Sequence, residues 1–208
     1  MKYSFTPETP ADACAENALR RIKIRRELIE ALGCESRVLR QYAATVLLAV
    51  AEAKPELLVE FQGELLDALN RPEPMTRYQM LRIINALMAQ DAHIVEKGYE
   101  DIETCLYDEE SPNVRGSAFR LLAHYGATTQ KRSERVWPSL SDALRCWHRD
   151  TVFMEMLADL ITLLEGKCSD KVRDEAATLF EFDIESTDNL LRRKARYIVS
   201  LRPEAGGK

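Results

Sequence analysis

The stretch that decides the fold runs from residue 111 to residue 126 and reads SPNVRGSAFRLLAHYG. Ser111 is suited to accept a hydrogen bond from the first turn of a helix, and Pro112 is suited to the first helical position. At the other end, Gly126 suits a left-handed residue that stops a helix. The stretch therefore predicts one helix with defined ends.

The same pattern returns four more times at a spacing of 38 residues, with no insertion or deletion. One column of equivalent positions holds Ala43, Leu81, Phe119, Leu157 and Ala195, and a second holds Val46, Ile84, Leu122, Leu160 and Ile198. A further column holds Val38, Thr76, Val114, Val152 and Leu190. Because the columns stand three, five and eight residues apart, they form one buried stripe along each helix. The sequence therefore predicts an array of repeats.

A looser apolar pattern precedes each of these helices, so each repeat is expected to be a hairpin of a first and a second helix. Pro138 is expected to kink or restart the first helix of the fourth repeat. Residues 1–15 are expected to be a weakly ordered lead-in, residues 16–202 one repeat domain, and residues 203–208 a flexible tail. Ten helices are expected, near residues 18–32, 36–52, 55–70, 75–90, 94–107, 113–125, 131–147, 151–165, 169–183 and 188–201.

The pattern resembles the HEAT-repeat family of the armadillo type. The second helix of that family opens with Val-Arg-x-x-Ala-x-x-x-Leu, which Val114, Arg115, Ala118 and Leu122 match, and Pro138 also fits a first helix. The resemblance implies an all-α fold, a right-handed α-solenoid of about five HEAT-like hairpins with a period near 38 residues. It implies an interaction scaffold and leaves the partner open. A non-repeating helical bundle remains an alternative, whereas tetratricopeptide repeats need a period of 34 residues.

Composition indicates a globular chain that is long enough for a sizeable core. Hydrophobic residues make up 46% of the 208 residues and charged residues 30%, with a net charge of −5. The N-terminus has no apolar signal-peptide core, and the longest apolar run, residues 42–51, is too short to span a membrane. Five cysteines without CxxC spacing favour free thiols, so a cytoplasmic location is expected.

Charge differs between the two sets of helices, because the second helices are basic in every repeat except the fourth and the first helices are acidic overall. In the family that the chain resembles, second helices line the concave side. We therefore predict a binding surface there, since arginine offers fork-shaped donors to carboxylate or phosphate. The predicted contact residues are Arg40, Tyr78, Arg82, Arg120, Arg192 and Arg196. Arg77 and Arg115 stand in a near-core column and are expected to make hydrogen bonds between repeats instead.

The predicted partner is an acidic or phosphorylated protein segment. A nucleic acid is the alternative, and a solvated face without a partner is a third interpretation. No membrane partner is expected, and the oligomeric state is left open. A nucleic-acid track would be interrupted by the acidic fourth repeat.

The sequence contains no motif that indicates catalysis, and the protein is predicted not to be an enzyme. No cofactor and no metal site are expected, because the three histidines share no motif and the cysteines lack paired spacing. Some HEAT-like arrays are DNA glycosylases that act on alkylated bases. Asp159 is the nearest carboxylate on a second helix for such chemistry, but its column places it on the flank.

Overall fold

The structure is a computed structural model of the chain, and it describes residues 3–148 and 150–204. Within that part the chain forms α-helices and short 3₁₀-helices and no β-strand. The 3₁₀-helices are Pro55–Phe61, Ala68–Asn70 and Asp183–Glu185. The α-helices are α1 (Ala11–Arg20), α2 (Ile22–Leu32), α3 (Arg37–Ala53), α4 (Gln62–Asp67), α5 (Pro74–Met88), α6 (His93–Lys97), α7 (Tyr99–Cys105), α8 (Pro112–Gly126), α9 (Gln130–Cys146), α10 (Phe153–Glu165), α11 (Asp170–Leu179) and α12 (Asn189–Ser200).

The five predicted second helices are confirmed as α3, α5, α8, α10 and α12, each beginning and ending within two residues of its expected position. Their first two columns are buried throughout, because all ten side chains from Ala43 to Ile198 are 0% exposed. The column that begins at Val38 behaves differently. Its three middle members are buried, but Val38 and Leu190 are 63% and 49% exposed. The prediction of a buried stripe was wrong at these two positions.

The first helices depart from the prediction in four of the five repeats. The helix expected over residues 18–32 breaks at Arg21, which is extended, with φ −132° and ψ 111°. The Arg25 guanidinium donates to the Ala18 carbonyl at 2.7 Å and replaces the bond that the Ile22 N–H would make in a continuous helix. The helix expected over residues 55–70 is largely 3₁₀, and Leu58 and Phe61 are both buried at the three-residue spacing that suits this geometry.

The third of these first helices, expected over residues 94–107, breaks at Gly98. A Cβ placed on Gly98 would overlap the Leu66 side chain of α4, so any larger residue there requires Leu66 to move. The fifth was predicted to reach residue 183, but α11 ends at Leu179 and a short 3₁₀-helix follows. Apolar spacing alone therefore predicts continuous helices where the structure has divided ones.

One prediction about a helix end was wrong, although the start of α8 is as expected. Ser111 Oγ accepts from the Val114 N–H at 3.4 Å, and Pro112 is the first helical residue. Gly126, however, ends α8 without a left-handed backbone; a Cβ there would lie 2.7 Å from Leu163 Cδ1 and Val136 Cγ2. This glycine is needed for close packing. The helix α9 continues through Pro138 without restarting, and a kink at this residue stays a prediction.

Packing divides the chain into two compact units, Met1–Ser117 and Ala118–Lys208, and the division falls within the range predicted as one repeat domain. In the first unit, α3 packs against α1, α2 and α5. In the second unit, α11 packs against α9 and α12, and α10 packs against α12. In each unit the contacts join the helices of one hairpin and also helices of neighbouring hairpins.

The predicted lead-in of residues 1–15 includes the first half of α1. Phe5 is buried and stacks on Tyr42, with ring centroids 5.7 Å apart. Ser4 donates from both its N–H and its hydroxyl to the Glu27 carboxylate, at 2.7 and 3.0 Å. Residues 1–2 of the lead-in and residues 205–208 of the predicted tail lie outside the described residues.

Candidate functional site

Arg40, a predicted contact residue, is bound within the first unit. Its Nη1 donates to the carbonyls of Cys34 and Glu35 at 2.7 and 2.9 Å, and its Nε donates to Glu73 Oε2 at 3.2 Å. Its Nη2 also donates to the Glu73 carboxylate. The side chains of Arg40 and Glu73 are only 11% and 4% exposed. The pair therefore joins the start of α3 to the start of α5.

Arg77 repeats this arrangement one hairpin later. It donates to the carbonyls of Arg71 and Pro72, both at 2.9 Å, and pairs with Asp108 before α8. Arg115 donates to the Asp108 carbonyl at 2.6 Å. The prediction that Arg77 makes hydrogen bonds between repeats is confirmed, and Arg115 uses a carbonyl in the loop of its own repeat.

Tyr78 and Arg82 are brought together on α5. The Arg82 guanidinium carbon lies 5.6 Å from the centroid of the Tyr78 ring, within cation–π distance, and Arg82 also pairs with Glu52 of α3. Both charged side chains are about half exposed. An incoming anion at this position therefore competes with Glu52 for the arginine.

Arg120 lies against acidic residues of α10. Its Nε donates to the two carboxylate oxygens of Asp159 at 3.1 and 3.2 Å, and its Nη2 lies 3.7 Å from Glu155. His124 Nε2 is 3.9 Å from Asp159 Oδ1. Burial raises the pKa of Asp159, although Arg120 opposes this shift, and burial lowers the pKa of His124. Asp159 is thus a buried partner of Arg120.

These pKa shifts predict a pH-dependent stability of the second unit. Because the pKa of His124 is lowered from 6.5, the folded state favours the neutral ring, so stability is complete above that pH and is lost as pH falls through the folded-state pKa. Asp159 acts oppositely, since its raised pKa makes stability fall as pH rises above 3.8. We expect His124→Gln to flatten the fall in unfolding free energy below pH 6.5, measured by urea titration at several pH values. An unchanged slope in that window would rule out His124 as its source.

Arg192 and Arg196 both lie on α12 and bind the segment before it. Arg192 donates to the Ser186 carbonyl at 2.7 Å and to the Asn189 side chain. Arg196 donates to the Ile184 carbonyl at 3.1 Å and lies 3.5 Å from Glu185 Oε1, with most of its side chain exposed. Arg196 therefore keeps room for a further acceptor.

A groove of about 550 Å³ separates α10 from α12 and contains Arg196. Leu190 and Tyr197 are 49% and 45% exposed along it, and Tyr197 Oη donates to Glu165 Oε1 at 2.6 Å. The residues that line this α10–α12 groove are Ile161, Leu190, Arg193, Lys194, Arg196, Tyr197 and Ser200. Apolar surface and three cations therefore share one depression.

Arg193 and Lys194 are the distinctive residues of the α10–α12 groove. Arg193 is exposed and Lys194 is half-buried. Neither side chain forms an ion pair or hydrogen bond with any residue in the described ranges 3–148 and 150–204. The α12 helix carries four cations and no acid. The groove therefore has positive charge that the fold itself does not neutralise.

Another groove of the second unit, between α9 and α11, differs in its charges. It has a volume of about 690 Å³, and Phe182 is 92% exposed at its rim. Its charged residues are already paired, because Arg145 lies 2.8 Å from Asp142 and Lys171 lies 4.0 Å from Glu175. This groove offers apolar surface without a preference for anions or cations.

Sequence reasoning missed most of the groove. Of its seven residues, Arg196 alone was among the six predicted contacts. Leu190 was expected to be buried, and Lys194 and Tyr197 were not singled out as contacts. The run Arg192-Arg193-Lys194-Ala195-Arg196 was the available signal, because four cations within five residues exceed what nearby acids can pair.

Residues with metal-ligating side chains are dispersed. No group of three or more His, Cys, Asp or Glu side chains arranged to hold a metal occurs among the described residues. The thiols of Cys14, Cys105 and Cys168 are buried, and burial raises their pKa, so they stay protonated at neutral pH. The positively charged α10–α12 groove is therefore the candidate site.

Paired helices with equivalent buried columns define the chain as an all-α helical repeat protein. No protein-family model matches the sequence, and no curated protein matches it. A designed armadillo repeat protein in complex with the peptide (KR)4 is similar in structure, with a TM-score of 0.73 and 12% identity, over 95% of this chain and 96% of that one. The fold is therefore that of armadillo and HEAT-like repeat proteins.

Two further solved structures show the same fold. Computationally designed armadillo repeat proteins for modular peptide recognition give a TM-score of 0.72 at 15% identity, over 93% of this chain and 90% of that one. A HEAT-like repeats protein from the archaeon Thermococcus onnurineus NA1 gives a TM-score of 0.61 at 14% identity, over 94% of this chain and 76% of that one.

The described helices include none that is long and apolar enough to cross a membrane.

Proposed function

We propose that this protein is a non-enzymatic interaction scaffold and that its α10–α12 groove binds an acidic segment of a partner protein. The observation that carries the proposal is the pair Arg193 and Lys194, two cations with no internal partner among the described residues. Together with Arg196 they place three positive groups along one depression. A phosphorylated segment suits the same groups, because guanidinium donors bind phosphate as well as carboxylate.

The apolar part of the groove favours a protein segment over a bare anion. Ile161, Leu190 and Tyr197 line the same depression as the cations. An apolar side chain of the partner buried against them contributes binding energy of about 25 cal/mol per Å² of apolar surface removed from water. Charged groups around such an anchor add specificity and speed of association. The expected ligand is therefore an acidic segment with at least one apolar residue.

Structural neighbours support peptide binding as a use of this fold. A designed armadillo repeat protein of similar structure was solved with the basic peptide (KR)4. In the present chain α12 carries four cations and no acid, so we infer a ligand of opposite charge. Among the residues predicted from sequence, Arg196 belongs to this surface. Contact roles for Arg40, Tyr78, Arg82, Arg120 and Arg192 stay predictions, as does the cytoplasmic location.

Charge reversal of the two unpaired cations tests the proposal. We expect Arg193→Glu/Lys194→Glu to weaken binding of a fluorescent peptide that carries one leucine among glutamates by about 10- to 100-fold. The physical reason is that two attractive contacts become repulsive. Fluorescence anisotropy measures the affinity, and the same peptide with a phosphoserine in place of one glutamate is expected to bind more tightly.

The matched control is Lys131→Glu/Lys171→Glu, which reverses two exposed lysines on α9 and α11. This variant has the same net charge as the groove variant, so it separates local contacts from overall charge. Equal losses of peptide affinity in both variants would contradict a site that is specific to the groove. Tighter, strongly salt-dependent binding of a single-stranded oligonucleotide of equal charge would favour the nucleic-acid alternative.

A further inference from the structure

An acidic loop lies between α7 and α8 and reads Tyr-Asp-Glu-Glu over residues 107–110. It contains the longest run of consecutive acidic residues in the sequence. Asp108 anchors it, because its carboxylate pairs with Arg77 and accepts from the N–H groups of Glu110 and Ser111 at 3.1 and 2.8 Å. The backbone of the acidic loop is therefore held in one conformation within the first unit.

The anchored loop presents charge that the fold does not use. The side chains of Glu109 and Glu110 are exposed, and neither has an ion-pair partner in the described part of the chain. Tyr107, immediately before Asp108, is 39% exposed. The acidic loop thus combines two unpaired carboxylates with accessible aromatic surface. These are the features that the α10–α12 groove is expected to recognise.

We propose that the acidic loop of one molecule binds the α10–α12 groove of a second copy of this chain. This inference rests on the proposed function, because it names a partner for the same groove. Glu109 and Glu110 supply the negative charges that Arg193 and Lys194 lack, and Tyr107 supplies apolar surface to Leu190 and Tyr197. Three other exposed acids are already engaged: Asp174 and Glu181 both pair with Arg202, and Glu155 pairs with Arg120.

The energetics predict a weak and reversible contact. Anchoring by Asp108 reduces the ordering cost of binding, because the loop is already held in its conformation. Ion pairs at exposed positions contribute little binding energy each, so the contact forms at high protein concentration and weakens with salt. Loop and groove are different surfaces, so the contact is heterologous and continues head to tail unless the assembly closes.

A charge-swap experiment tests this inference with the full chain. The first variant is Arg193→Glu/Lys194→Glu and the second is Glu109→Lys/Glu110→Lys. Sedimentation velocity over about a hundredfold concentration range is expected to show association of the wild type and none of either variant alone. An equimolar mixture of the two variants is expected to associate again, because the reversed groove attracts the reversed loop and the unaltered groove attracts the unaltered loop.

The controls separate the possible outcomes. Lys131→Glu/Lys171→Glu is expected to associate as the wild type does, and circular dichroism checks that every variant is folded. The inference is overturned if the wild type stays monomeric, if either reversal leaves association unchanged, or if the mixture fails to associate. A monomeric wild type that still binds the acidic peptide in its groove refutes self-recognition alone. Loss of peptide binding as well refutes the proposed function.

Discussion

Arg40→Met is expected to lower the free energy of unfolding of the first unit by about 3–5 kcal/mol. The substitution keeps the aliphatic stem and removes every donor that binds Glu73, Cys34 and Glu35. Glu73, whose side chain is 4% exposed, then carries a buried charge without a partner. The cost comes mainly from that stranded carboxylate, since removing one member of a buried pair is worse than removing both. Urea unfolding followed by circular dichroism measures the loss.

The pH dependence of this loss distinguishes electrostatics from packing. The hydrogen bond from Arg40 lowers the pKa of Glu73 below 4.5, so the pair stabilises the fold above that pH and the stabilisation is lost as pH falls through the folded-state pKa. In the variant, the carboxyl is expected to take up a proton as pH falls. The difference from wild type should therefore shrink toward acidic pH. A difference that is constant with pH would indicate lost packing instead.

Two further variants serve as controls for Arg40. Arg37→Met removes an exposed cation on the preceding turn of α3 and is expected to change stability by less than about 0.5 kcal/mol. The double variant Arg40→Met/Glu73→Met removes both charges and is expected to recover most of the loss. If the double variant is as unstable as the single one, the stranded carboxylate is not the cause.

Gly166→Ala is expected to destabilise the second unit by about 1–3 kcal/mol through steric overlap. A Cβ there would lie 2.7 Å from both the Cβ and the carbonyl oxygen of Ala127, and 2.9 Å from its Cα. Because backbone atoms cannot rotate away, the loop after α8 must shift. That shift weakens the bond from the Lys167 N–H to the Ala127 carbonyl, which is 2.7 Å long. Thermal and urea unfolding measure the effect.

Gly63→Ala is the matched control for this steric effect. Gly63 lies in α4, and a Cβ there meets nothing within 4 Å. Alanine favours the helix and reduces the conformational entropy of the unfolded chain. The free energy of unfolding is therefore expected to rise by about 0.5–1 kcal/mol. Opposite signs for the two substitutions would support the packing argument. A gain in stability from Gly166→Ala would show that the loop after α8 moves without cost.

Helix positions and burial followed from the sequence where the signal was repeated. The columns from Ala43 and Val46 carry apolar residues in all five repeats, and every one of these side chains is fully buried. A column pattern that recurs in five helices predicts burial for every member, so it does not identify the individual positions that are exposed. Val38 and Leu190 are such exceptions, and nothing in their own residue type distinguishes them from buried members of the column.

The candidate site was harder to predict from the sequence than the helix positions and their burial. Apolar periodicity shows which way a helix faces, but it does not show which charges pair across helices. From the sequence, Arg40 and Arg196 are both predicted to face away from the core. In the structure, Arg40 is enclosed by Glu73 and two carbonyls, whereas Arg196 lies in a groove. The partners of Arg40 lie up to 33 residues away along the chain.

The sequence by itself determined the all-α repeat fold, the five second helices and their buried stripe, because 3.6-residue periodicity and helix capping are local properties that repeat in phase. Tertiary structure alone decided the close approach at Gly98, the packing role of Gly126, and which cations remain unpaired. These depend on distances between segments that are far apart in the chain. Arg193 and Lys194 line one groove, and within the described residues neither forms an ion pair or a hydrogen bond.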